Sequence, residues 1–232
     1  MPVDPELIRE VASHTAVLRP PRQALATFGQ TIVQYYLLSE PAYADVLPSG
    51  EETVIRQGQV MAERPRIVTP YYLLNLFHNF EHGQEYARYL LQEHGPGAPG
   101  LMYSYRQELH ETSVVSEPLQ QVAGRLADDL DGRQEHLAAV VQGVDHLWDI
   151  SLMKFIYELT AGSLGQNLAE LGRRGLLGSE RGLPREARAR LEEMFAAVAR
   201  GELEARELKA ELDRWGVFAE YEDRFLGLFR RR

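Results

Sequence analysis

Thr53-Val54-Ile55-Arg56-Gln57-Gly58-Gln59-Val60-Met61-Ala62 carries the one convincing β pattern in the sequence. Apolar and β-branched residues flank Gln57-Gly58, and Gly58 can supply the positive φ of a tight turn, so the segment reads as a β-hairpin at about 52–68. Helical periodicity dominates on both sides of it. Upstream, helices are expected over about 5–17, opened by Asp4 and Pro5, and over about 22–38, after the Pro20-Pro21 break. Downstream they are expected over about 70–93, near 100–110, over about 116–130, and as one long helix over about 133–160. Two strands alone are marginal in water, so the hairpin has to lie on the helical body or pair with another chain.

The expected architecture is therefore all-α: a multi-helix, bundle-like body over 1–175 with one inserted β-hairpin, then a small, charged helical appendage over 184–232. The run from Arg173 to Pro184 concentrates glycine and charge and reads as the linker. Helices near 184–200, 202–214 and 217–230 follow it.

The 232 residues carry 25 Lys plus Arg against 34 Asp plus Glu, a formal charge of −9, and no Cys. Without a thiol, disulfide scaffolds, thiolate zinc sites and cysteine nucleophiles are excluded. The acidic balance disfavours nucleic-acid binding by bulk electrostatics. No apolar run approaches the roughly 20 residues of a membrane span, and MPVDPELIRE lacks the order of a secretory signal, so a soluble, cytoplasmic protein is expected. Residues 81–160 hold 5 basic and 13 acidic side chains, nearly the whole surplus. A solvated acidic face explains this most simply; a cation site or a basic partner is the sharper alternative.

One candidate site lies at His78-Asn79-Phe80-Glu81-His82. Histidines four apart project from one helical face, where two imidazoles can meet one zinc ion while a neighbouring glutamate deprotonates its water. The spacing resembles the inverzincin metallopeptidase signature. That resemblance implies His78 and His82 as ligands, Glu81 as general base and a later glutamate as third ligand; no partner motif fixes which one, Glu108 and Glu111 are available acids, and Glu111 is taken as the candidate. Against it, Leu73, Phe77, Phe80, Ala87 and Leu91 form the apolar stripe on the opposite side of the helix, which leaves the histidine face to water.

The other candidates are Lys154 and Glu158, which fall in or beside the apolar arc of the 133–160 helix. Burying them requires a partner, so a Lys154 to Glu158 ion pair is expected, with a catalytic role as the alternative. Asp145, His146 and Asp149 lie on the opposite arc. None of the seven histidines follows a glutamate by three residues, as di-iron sites usually require. There is no GxSxG elbow, Walker loop or GxGxxG. The paired tyrosines Tyr35-Tyr36 and Tyr71-Tyr72, with Tyr103 and Tyr105, read as core with one wet edge.

The leading functional expectation is a non-catalytic interaction or regulatory module that binds a protein partner or a second copy through the hairpin or the appendage, with no cofactor. The rival is a zinc-dependent hydrolase built on residues 78–82.

Overall fold

In the computed structural model, which describes residues 5–43, 52–76, 91–92, 95–96, 98, 100–180 and 183–229, Thr53–Ala62 is one continuous strand. The hairpin expected at 52–68 is not formed. Gly58 sits in the strand interior, and its missing side chain makes room rather than a turn. A Cβ there would run into the Glu108 carbonyl oxygen and lie 2.5 Å from the Tyr35 hydroxyl. Glycine inside a strand marks such close approaches.

The chain divides into two units, residues 1–64 with 103–167 and residues 65–102 with 168–232. The first is built on α1 (Pro5–His14), β1 (Ala16–Arg19), β2 (Thr31–Ser39) and β3 (Thr53–Ala62). Its later elements are β6 (Tyr105–Val115), α3 (Leu119–Gly132), β7 (Ala138–Gln142), a 3-10 turn at Asp145–Leu147 and α4 (Trp148–Arg173), whose last turns belong to the second unit. The second unit also contains β4 (Arg66–Val68), α2 (Pro70–Leu76), β5 (Gly100–Met102), β8 (Ser179–Glu180) and β9 (Leu183–Pro184). It closes with α5 (Arg185–Arg200), α6 (Ala205–Trp215) and α7 (Phe218–Gly227).

Unit 1 is a five-stranded mixed sheet of order β1-β7-β2-β3-β6, not a helical bundle. β2, β3 and β6 form an antiparallel meander, and β7 returns parallel to β2, from Gln34 opposite Ala138 to Leu38 opposite Gln142. Alternation along β2 serves both faces. Val33, Tyr35 and Leu37 join Val60, Ala139, Val141, Leu152 and Phe155 beneath α4. Tyr36 and Leu38 join Leu119, Val122, Leu130 and Val140 beneath α3. Where a central strand is buried on both faces it reads as an unbroken apolar run, which is why Tyr35-Tyr36-Leu37-Leu38 resembles the end of a helix. Ala138–Gln142 misleads in the same way: what reads as one helix from 133 is a buried strand, with α4 starting only at Trp148.

In unit 2, two-stranded pairs β4-β5 and β8-β9 accompany the helices. Its core gathers Tyr72, Leu183, Leu191, Phe195, Leu208, Leu212, Trp215 and Phe225. The three charged helices stand where their amphipathic spacing puts them. α6 ends in the left-handed Gly216 (φ 67°), whose bare Cα faces the Tyr71 hydroxyl.

Candidate functional site

The two edge strands of the large sheet differ sharply. β1 spans four residues, whereas β6 spans eleven, about 36 Å at ~3.3 Å per residue. β6 pairs with β3 along one side, and no strand among the described residues pairs with the other. Its outer N–H and C=O groups form a template for one more strand. A bulge interrupts it: Leu109 lies opposite Gly58 and Glu111 opposite Gln57, leaving His110 as the extra residue. The bulge breaks the alternation of 105–115 and hides the strand from a periodicity reading. The signal that was available is local: Thr112, Val114 and Val115 favour strands.

Register assigns the faces of β6. Leu109 pairs with Gly58, and Gly58 with Tyr35, so Leu109 projects on the α4 side, as do Tyr105, Thr112 and Val114. Arg106, Glu108, Glu111, Ser113 and Val115 project on the α3 side. Leu109 and Val114 are 43% and 54% exposed. On α4, Met153, Tyr157 and Leu164 are exposed as well, Tyr157 at 73%. Thr160 lies three residues beyond Tyr157 and four before Leu164, and its hydroxyl is hydrogen-bonded to that of Tyr105. This stripe therefore runs along the flank of α4 that reaches β6. Burial, then the neighbouring Tyr105, pushes the Tyr103 hydroxyl up to about 12, so it stays protonated; it donates to Asn167 Oδ1 at 3.3 Å. The result is an apolar strip beside an open edge.

A cleft of about 500 Å³ lies at the carboxyl ends of the parallel pair β2 and β7, lined among others by Glu10, His14, Glu40, Leu119, Asp145 and His146. Ligands favour such positions in open sheets, yet two of its polar groups already hold the fold together. Asp145 accepts from the Ala42 N–H at 2.9 Å and from Ser39 at 3.2 Å, and pairs with Arg56 at 2.7 Å. The Arg56 guanidinium lies 5.7 Å from the centre of the Trp148 ring. His14 Nδ1 is 2.8 Å from the carbonyl oxygen of Glu10.

Burial alone would raise the Asp145 carboxyl, but the Ala42 N–H, Arg56 and Ser39 together bring it below the ordinary carboxylate value. A lowered folded-state pKa contributes stability that is full above the unfolded value and is lost as pH falls through the folded one. Asp145→Asn is expected to cost roughly 2 kcal/mol at pH 6. Urea unfolding at lower pH should show that gap closing below about pH 4. A gap independent of pH would contradict the assignment.

Of the sequence-derived candidates among the described residues, the structure brings Lys154 and Glu158 together. His78, Glu81 and His82 lie outside the described residues. Glu111 is exposed on β6, opposite Gln57. Lys154 lies 3.4 Å from Glu158 and donates to the Thr15 carbonyl at 2.6 Å, but both side chains are partly exposed rather than buried. Glu158 borders a smaller cavity of about 260 Å³ with Pro20, Arg22 and Leu159. Asp149 is exposed. Among the described residues no group of three or more His, Asp or Glu is placed to hold a metal ion, so the metal-site expectation gains no donor set from them. No helix among them is long and apolar enough to cross a membrane. No family model, no curated protein and no solved structure matches the chain, so its site is defined by this geometry alone.

Proposed function

We propose that this chain is a non-catalytic interaction module that accepts a partner's β-strand along β6. The observation that carries the reading is the eleven-residue edge, unpaired on its outer side among the described residues, with exposed Leu109 and Val114 on one face. Strand addition draws affinity from main-chain hydrogen bonds and specificity from alternate side chains. Here the outer backbone supplies the first, and the strip formed with Met153, Tyr157 and Leu164 supplies the second. The α3 face carries Arg106, Glu108 and Glu111, which keeps the free edge solvated when no partner is bound.

The test uses the full chain and a Leu109→Lys/Val114→Lys variant, both sites being exposed enough to leave the fold intact. A protein captured by the wild type is purified and its binding measured directly. Affinity is expected to fall roughly tenfold or more in the variant, with hydrogen exchange slowed in β6 only in the wild-type complex. A partner that binds both chains equally, or protects amides elsewhere, would sink the proposal.

A further inference from the structure

We infer that the strand β6 accepts is the β6 of a second copy of this chain, run antiparallel about a two-fold axis at Thr112. This rests on the reading of β6 as a docking edge and adds the occupant and its register. Residues opposite one another in a ladder share a face, so the bulge at His110 restricts the alignments that two copies can adopt. With Thr112 facing Thr112 of the second copy, Leu109 falls opposite Val114 of the second copy, and Val114 opposite its Leu109. The four exposed apolar side chains of the edge then meet as two cross-strand pairs on the α4 face.

The α3 face agrees with the same alignment. Glu111 meets Ser113 of the second copy, Glu108 meets Val115, and Arg106 meets Glu117 just past the strand end, so no like charges stand opposite one another. The two adjacent alignments are worse. Sliding one way sets Leu109 opposite Thr112 and brings the two Glu111 carboxylates together. Sliding the other way sets Leu109 opposite Ser116 and Glu108 opposite Glu117. Like charges directly opposite are destabilising. The sequence of this edge therefore favours one self-complementary register, as a two-fold interface requires. The result is a continuous ten-stranded sheet flanked by two copies of the Met153 and Tyr157 stripe.

The experiment is sedimentation equilibrium of the full chain from low to high micromolar concentration, combined with cysteine cross-linking. The chain has no cysteine, so each introduced thiol is alone. Thr112→Cys places two thiols at the two-fold axis and is expected to give a disulfide-linked dimer under mild oxidation. Arg106→Cys, at an equally accessible site, places them far apart and is expected to give none. Leu109→Lys/Val114→Lys sets lysine against lysine and should weaken association roughly tenfold or more. A chain that stays monomeric, a dimer indifferent to the lysine pair, or Arg106→Cys linking as well as Thr112→Cys would overturn the inference. If the chain is monomeric while a captured partner still depends on Leu109 and Val114, self-pairing fails and the docking edge stands. If partner binding is equally indifferent to them, both fail.

Discussion

Gly58→Ala is expected to destabilise the protein by about 3 kcal/mol, far more than an alanine in a strand ordinarily costs. The added methyl has nowhere to go. Its position overlaps the Glu108 carbonyl oxygen on one side, and the Tyr35 hydroxyl and ring carbon stand at 2.5 and 2.7 Å. Tyr35 is fully buried, and its hydroxyl accepts from Gln107 Nε2 at 2.9 Å, so its ring yields only by breaking that bond and disturbing the core under α4. β6 yields only by lengthening the β3-β6 ladder. Tryptophan fluorescence in a Trp215→Phe background leaves Trp148 of unit 1 as the reporter. The denaturation midpoint should fall with little change in slope. A loss below about 1 kcal/mol, the scale of glycine's conformational entropy alone, would mean that the close approach of strand and ring is absent.

Glu211→Ala should cost a similar amount, about 3 kcal/mol, through electrostatics in unit 2. The Glu211 carboxylate is 3% exposed; it accepts from the Tyr72 hydroxyl at 3.2 Å and from Arg214 at 3.0 Å, with Arg66 at 4.0 Å. Burial, then the charge of Glu211, raises the Tyr72 hydroxyl above its ordinary pKa, so the phenol remains a donor. Removing the carboxylate leaves a buried hydroxyl unpaired beside two arginines. Glu211→Gln retains an acceptor and should lose about half as much. Trp215, whose ring centre lies 4.5 Å from that of Tyr72, reports the change in a Trp148→Phe background. Equal losses for the two variants would show that volume rather than hydrogen bonding holds this cluster.

What the sequence made legible follows from which elements face water. The amphipathic helices α5, α6 and α7 each keep a charged face, so their 3.6-residue period survives in the sequence. β7 and the second half of β2 have no wet face, and an apolar run such as Tyr35-Tyr36-Leu37-Leu38 or Ala138-Ala139-Val140-Val141 carries no period by which to distinguish strand from helix. Gly58 misled for another reason. A turn glycine and a close-approach glycine look identical until the ring that covers it is known, and Tyr35 lies more than twenty residues away. The candidate edge was hidden by one inserted residue, His110, which shifts the alternation halfway along. The acid surplus of 81–160 reads first as a solvated face, with a cation site or a basic partner as the alternative; within the described part of that stretch, Asp145 meets Arg56, Glu158 meets Lys154 and Asp131 meets Arg19 and Arg22.

The place of β7 in the sheet also constrains the order of assembly. β7 lies between β1 and β2 in space but follows both by about a hundred residues in the chain. During synthesis, β2 can zip to β3 once residue 62 has emerged, while β1 has no strand to join until Ala138–Gln142 has been made. β6 closes the meander only after residues 65–102 have been threaded out. A nascent chain halted before residue 138 therefore displays the inner edge of β2, with its apolar run Tyr35-Tyr36-Leu37-Leu38, to the ribosome's surroundings. Such long-range closure is slow and exposes aggregation-prone edges, so the yield of folded protein should respond to the speed of translation through the 65–142 region.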